Sequence, residues 1–270
     1  MTIPAPALSD IRLIATDLDG TLLKGWRKDV DPDAFPLIEE LSRHGIVFFA
    51  ASGRQYPSLR RLFEPVRDEI GYVCENGAMA IYRDEVVFKR AIPREKAPEI
   101  FHTIEAHPDC EVFASGQETA YIVKGNQDFR DHLTNVTKCD VTEIDRVEDI
   151  EEPIIKIAFR VPAEKNAAIS EHFQGAFGEG YRVVTSGTVW IDVIQDGVDK
   201  GTALETVGEQ LGITFDQMMA FGDELNDAEM IAAAGHPYVM DTGNPELQML
   251  NDRVHICSRV EDELASLLGR

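Results

Sequence analysis

RLIATDLDGTLL, residues 12–23, decides how the rest of the chain is read. Its short apolar run Leu13-Ile14-Ala15, bounded by polar and glycine residues, predicts a buried strand of a parallel sheet. The run ends in Asp17, Asp19, Gly20 and Thr21. Two carboxylates one residue apart leave the pleat at the strand end, Gly20 lets the backbone turn sharply behind them, and Leu18, Leu22 and Leu23 tuck the loop down. Crowded carboxylates repel each other and lose hydration, so the loop is destabilised unless something positive sits between them. A hard divalent cation with oxygen ligands, most simply Mg2+, meets that need. Alone, the tract also reads as a polar turn without chemistry, because Asp-Gly is common in turns.

Outward from this stretch, strand and helix alternate. Asp31-Pro32 opens a helix carrying Phe35, Ile38 and Leu41 at helical spacing, and Gly45 stops it. A second buried strand, 46–51, ends in Ser52-Gly53-Arg54 and is followed by a helix to about Phe63. A third, 71–74, runs into Glu75-Asn76-Gly77-Ala78, where Asn-Gly predicts a tight turn and a small hairpin leaving the sheet by Tyr82. This alternation predicts a doubly wound α/β layer with parallel strands. The pattern then changes to strand pairs with helices on one side: strands over 86–92, 110–115, 119–123, 154–161, 181–186 and 189–194, and helices over 94–107, 128–136 and 163–177. The fold class is therefore an α/β parallel-sheet core, residues 1–83 and 196–270, with an inserted α+β unit over 84–195. From Asp196-Gly197 the first pattern resumes, with a helix from Lys200 to Leu211 and a strand from Met218 to Phe221 entering Gly222-Asp223-Glu224-Leu225-Asn226-Asp227. Residues 1–9 read as a loose tail.

Composition narrows the partners. Of the 270 residues, 44% are hydrophobic and 27% charged, as in ordinary globular proteins, and the formal net charge is -22. That charge disfavours nucleic acid and anionic membranes as partners, and an anionic substrate needs a locally positive site. No run reaches the length of a membrane span, and the N-terminus lacks a signal-peptide pattern, so a cytoplasmic location is expected. Cys74, Cys110, Cys139 and Cys257 are widely spaced, which predicts free buried thiols rather than disulfides or a zinc site. The sequence carries no signal of oligomeric state.

Three strands of the predicted sheet thus end in polar loops, DLDGT, SGR and GDELND, and ligands of open α/β sheets bind beyond the carboxyl ends of the strands. Lys200, opening a helix, is a fourth element. Together, in this order, the four resemble the motifs of the haloacid dehalogenase (HAD) superfamily of phosphohydrolases. The flanking S-G-R, E-N-G-A and D-K-G-x-A-L, with the insertion, resemble its Cof-type branch, whose cap is an α/β domain. The chain departs from that branch at Val239-Met240-Asp241-Thr242-Gly243-Asn244-Pro245, longer than the usual A-M-G-N-A, and in lacking a glycine turn near Glu261-Asp262.

The resemblance implies roles that the chemistry supports. Asp17 attacks phosphorus and forms an aspartyl-phosphate, while Asp19 protonates the leaving oxygen and later deprotonates water. Mg2+ is held by the Asp17 side chain, the Asp19 carbonyl and Asp223, with Asp227 in the acidic set, orienting water or Lys200. Ser52, Gly53, Lys200 and Asn226 hold the phosphoryl oxygens. Arg54 either touches phosphate or makes a salt bridge at the domain edge. The expected activity is a Mg2+-dependent phosphomonoesterase acting on a small phosphorylated metabolite, such as a sugar phosphate or phosphorylated cofactor. A sugar phosphomutase and a non-catalytic phosphometabolite sensor are the alternatives.

Overall fold

The computed structural model describes residues 5–25, 27–177 and 179–270. Of the expected loose tail, residues 1–4 lie outside the described residues, and Leu8–Asp10 form a short 3-10 turn. In chain order the elements are β1 (Leu13–Thr16), α1 (Ala34–Arg43), β2 (Val47–Ala51), α2 (Tyr56–Leu62), β3 (Gly71–Cys74), β4 (Met79–Tyr82), β5 (Glu85–Lys89), α3 (Ala97–Glu105), β6 (Glu111–Ser115), β7 (Ala120–Val123), α4 (Gln127–Asn135) and β8 (Val141–Ile144). There follow β9 (Lys156–Arg160), α5 (Asn166–Phe177), β10 (Tyr181–Ser186), β11 (Trp190–Gln195), α6 (Lys200–Leu211), β12 (Met218–Gly222), α7 (Ala228–Ala233), β13 (His236–Met240), α8 (Pro245–Gln248), β14 (His255–Cys257) and α9 (Val260–Leu267). Two compact units result: one holds the chain up to Ser52, Leu59–Phe88 and Asp199–Arg270, the other Gly53–Ser58 and Lys89–Val198.

The first unit is built on a sheet in the order β14-β13-β12-β1-β2-β3-β4-β5. The strands from β14 to β3 run parallel. Parallel strands covered on both faces must be apolar throughout, and β1 is buried at every position. Leu13 and Ala15 join Phe49, Val73, Ala220 and Val239 beneath Leu204 and Val207 of α6 and Ile231 of α7. Ile14 and Phe48 point the other way and are equally buried. β3 and β4 pair antiparallel, Gly71 opposite Tyr82, but they do not leave the sheet as the hairpin reading expected. Ala80, Tyr82, Val87 and Phe88 pack on the same core as Phe49, and that burial keeps β4 and β5 in the sheet. The units change over at Phe88/Lys89 and Val198/Asp199, a few residues beyond the sequence boundaries.

The second unit carries a sheet in the order β10-β11-β9-β6-β7-β8, antiparallel except where β7 meets β8. Phe101 and Ile104 of α3 and Phe173 of α5 pack on Val112, Ile157, Phe159 and Ile191. Alternate residues face the other way, and there Phe113, Ile122 and Ala158 pack with Phe129 and Leu133 of α4. Helices therefore cover both faces, not one side as the sequence reading had it: the apolar positions Phe129 and Leu133 give α4 its own buried stripe. β8 went unread because its Thr142 and Glu143 are exposed. All four cysteines are thiols; Cys74 and Cys257 are buried as expected, whereas Cys110, just before β6, and Cys139, in the connection after α4, are only partly buried. Among the described residues no helix is long and apolar enough to cross a membrane.

Two charges are buried inside this second sheet. Lys156 Nζ lies 3.3 Å from Asp192 Oδ2 and donates to the Gly53 carbonyl at 2.9 Å, while Ser186 Oγ donates to the same Asp192 oxygen at 2.7 Å. Removing one partner of a buried pair strands the other charge, so Lys156→Met is expected to lose about 3–5 kcal/mol of stability. Lys156→Met combined with Asp192→Leu should recover most of that loss. Urea denaturation of the three proteins checks both statements; a single variant as stable as wild type contradicts them.

Candidate active site

Register places three loops at one edge of the first sheet. Thr16 at the end of β1 lies opposite Phe221 of β12 on one side and Ala50 of β2 on the other. The Asp17 amide donates to the Phe221 carbonyl at 2.9 Å, continuing the ladder one residue further. The chain leaves β1 toward β2 and later returns beside β1 as β12, so strand order reverses where Asp17 and Asp223 emerge. That reversal is where α/β sheets open a crevice.

The loop after β1 folds as its residues dictate. Leu18, Leu22 and Leu23 are buried, and the Leu18 carbonyl accepts from the amides of Thr21 and Leu23. Gly20 has φ +97 and faces the Asp223 carboxylate so closely that a Cβ would overlap it. Both facts require glycine. Thr21 Oγ1 donates to Asp223 Oδ1 at 2.8 Å, an orienting contact that was not foreseen from the sequence. Asp19 is exposed, and its backbone bridges to Leu23.

Lys200 enters from the first residue of α6, where Asp199 caps the helix by accepting from the Thr202 amide at 2.7 Å. A lysine there is opposed by the helix dipole, and two carboxylates offset this. Lys200 Nζ, fully buried, donates to Asp17 Oδ1 and Asp227 Oδ1, each at 2.6 Å. Asp227 Oδ2 accepts from the amides of Asp223 at 3.0 Å and Glu224 at 3.2 Å. Both oxygens of Asp227 are thus engaged by the protein, as an orienting residue's would be.

Asp17, Asp223 and Asp227 offer carboxylate oxygens within 4.8 Å of one another. Burial raises Asp17 well above the ordinary carboxylate range; Lys200 opposes this, and Asp227 and Asp223 add to it. Burial likewise pushes Asp223 up to about 6, against the Thr21 hydrogen bond. Burial pulls Lys200 down, but Asp17 and Asp227 outweigh it and hold the ammonium above the usual lysine range. Three carboxylates around one ammonium leave an excess of buried negative charge. Asp17 and Asp223, oxygen donors on adjacent loops, fit a hard divalent cation that removes the excess.

The raised Asp223 pKa carries a pH dependence with a definite sign. Without metal the folded chain keeps this proton to about pH 6, whereas the unfolded chain releases it near 3.8. Stability therefore falls as pH rises through that window, and Asp17, shifted the same way, adds to the fall. Affinity for a divalent cation runs oppositely, rising as the proton leaves. In EDTA, Asp223→Asn should melt above wild type at about pH 7, with the gap closing toward about pH 5. A gap independent of pH contradicts the assignment.

The remaining residues fall into two groups. Ser52 is buried, with its amide donating to the Val73 carbonyl at 2.8 Å. Asn226 Nδ2 donates to Asn76 Oδ1 at 3.3 Å, and the Asn76 amide donates to the Ser52 carbonyl at 3.1 Å. Gly53 and Arg54 belong instead to the second unit. Asn76 was read as a turn residue and as part of the E-N-G-A resemblance, with no role in the site; the signal that could have marked it is Glu-Asn-Gly, since glutamate is a poor choice for an exposed tight turn.

This arrangement defines a class. The family model of haloacid dehalogenase-like hydrolases matches residues 14–262, and the chain belongs to that family of enzymes. The chain is 28% identical over 231 residues to the 5-amino-6-(5-phospho-D-ribitylamino)uracil phosphatase YbjI of Escherichia coli K12, covering 86% of this chain and 85% of that protein. It is 27% identical over 260 residues to the HMP-PP phosphatase of Serratia proteamaculans, covering 93% and 92%. Among solved structures, SMU.1108c of Streptococcus mutans UA159 superposes with a TM-score of 0.85 at 27% identity, covering 96% of this chain and 100% of that one.

Proposed function

We propose that the chain is a Mg2+-dependent phosphomonoesterase acting on small phosphorylated metabolites through an aspartyl-phosphate. The observation that carries the reading is Asp17 at the strand-order reversal, with Lys200 Nζ 2.6 Å from its Oδ1 and Asp223 on the adjoining loop. Asp17 and Asp223, with the Asp19 carbonyl, would hold the cation, and Asp227 fixes Lys200. When bound, the cation neutralises the carboxylates and the phosphoryl charge as a Lewis acid. An Asp17 carboxylate oxygen attacks phosphorus while Asp19 gives its proton to the leaving oxygen. Asp19 then takes a proton from water, which attacks the phosphoryl group and releases phosphate and the Asp17 carboxylate. Lys200, Ser52 and Asn226 steady the phosphoryl oxygens.

The two phosphatases similar to this chain act, by their names, on a phosphorylated ribitylaminouracil and on HMP-PP. Those substrates support small phosphorylated metabolites here, and we assign the choice among them to the inserted unit. The test is turnover of a panel of phosphate esters with Mg2+. The reading expects release of phosphate that EDTA abolishes; turnover unaffected by EDTA, or transfer to a sugar hydroxyl dependent on a bisphosphorylated sugar, overturns it.

A further inference from the structure

We infer that Asn76, in the turn after β3, is a positioning residue for phosphate: its side chain orients the Asn226 amide and its backbone fixes the chain at Ser52. The inference rests on the phosphatase reading for the tasks of Asn226 and Ser52, and adds a residue that reading leaves out.

The turn has an unusual backbone. Glu75, Asn76 and Gly77 follow one another with φ of 53, 57 and 97. Side chains other than glycine avoid this left-handed region, with asparagine among the least penalised. Elsewhere among the described residues a non-glycine residue takes positive φ at Arg83, Asp84 and Lys138, all exposed. Glu75 and Asn76 are instead buried. Positive φ at Asn-Gly is what a short hairpin turn uses, so the distinguishing features are a third left-handed residue, Glu75, and the burial of both side chains. A buried strained turn persists where its surroundings over-determine it, and such turns gather at functional sites.

Its surroundings here are three of the loops already described. The Asn76 amide donates to the Ser52 carbonyl at 3.1 Å, just beyond β2. Asn76 Oδ1 accepts from Asn226 Nδ2 at 3.3 Å, in the loop after β12. Gly77 lies so close beneath the Asp199 carbonyl and Lys200 amide that a Cβ would overlap them. One turn therefore links the chain at Ser52, the start of α6 and Asn226. Asn226 Nδ2 has two protons; with one held by Asn76, the amide plane is set and the other proton has a defined direction. A residue that served only the fold would stabilise these loops without coupling to Asn226 in phosphate affinity.

The experiment is a double-mutant cycle on Asn76→Gly and Asn226→Ala, read by affinity for inorganic phosphate with Mg2+ present and by kcat and KM for p-nitrophenyl phosphate. Glycine keeps the left-handed turn while deleting the side chain. Each single variant is expected to lose about tenfold in phosphate affinity and in kcat/KM, and the double variant to match Asn226→Ala within about twofold. Unchanged affinity in Asn76→Gly, or losses that multiply in the double variant, overturn the inference. Should Asn76→Gly fail to fold, wild-type NMR decides. The Asn226 side-chain proton pair, identified by its loss in Asn226→Ala, is expected to shift as phosphate saturates the protein, and a pair unmoved by bound phosphate overturns the inference. A chain that binds phosphate through this coupled pair yet turns over no ester ends the phosphatase reading and leaves the inference standing. Turnover with uncoupled variants does the reverse, and the absence of both binding and turnover ends both.

Discussion

Asp17→Asn is expected to lose at least about 10⁴-fold in kcat while remaining folded. The amide nearly matches the carboxylate in shape but cannot attack phosphorus. Its stability follows from the surroundings of Asp17. Burial already disfavours the ionised carboxyl, and Asp227 and Asp223 disfavour it further. The amide removes that unfavourable charge, its oxygen can still accept from Lys200, and Lys200 keeps Asp227 at 2.6 Å. In EDTA the variant should lie within about 1 kcal/mol of wild type, with weakened binding of Mg2+. Steady-state turnover and urea denaturation measured together check this. A variant that retains activity, or that unfolds, contradicts the role given to Asp17.

Lys200→Met should show the opposite pattern, a loss of folding together with a loss of activity. Lys200 is fully buried and donates to two buried carboxylates. Replacing it leaves Asp17, Asp223 and Asp227 with no ammonium among them, and breaking such a buried pair costs about 3–5 kcal/mol. Two conditions should return part of that stability. Lowering the pH lets the carboxylates take up protons, and Mg2+ restores a positive charge, stabilising the fold by mass action. Urea denaturation in EDTA at about pH 7, again at about pH 5, and with Mg2+ at about pH 7 separates these effects. Equal stability of variant and wild type in EDTA contradicts the electrostatic account of the site.

The sequence made legible whatever short-range pattern controls. β1 and β2 announced themselves as unbroken apolar runs, and α6 through its Lys200–Leu211 span. The carboxylate cluster was legible because Asp17 and Asp223 each end an apolar run in a glycine-containing loop. Partners brought in from far along the chain were not legible. Nothing local to Thr21 says that its hydroxyl meets Asp223, about 200 residues away. Asn76 and Asn226 meet only because the turn after β3 folds inward, whereas Asn-Gly by itself suggests a hairpin. Lys156 and Asp192 did leave a trace, a charge within each of two apolar strands, but pairing them requires the β9–β11 register. β5 was assigned to the insertion because the strand pattern changes after Tyr82; only packing of Val87 and Phe88 on the first core places it otherwise.

The most direct measurement is borohydride reduction of enzyme quenched during turnover of a phosphate ester with Mg2+, followed by peptide mass spectrometry. An acyl phosphate on Asp17 is reduced there to homoserine, and that product at position 17, absent when EDTA is added before substrate, is the result expected. Homoserine at a different carboxylate, or an unmodified Asp17 in enzyme that is turning over, would contradict the account.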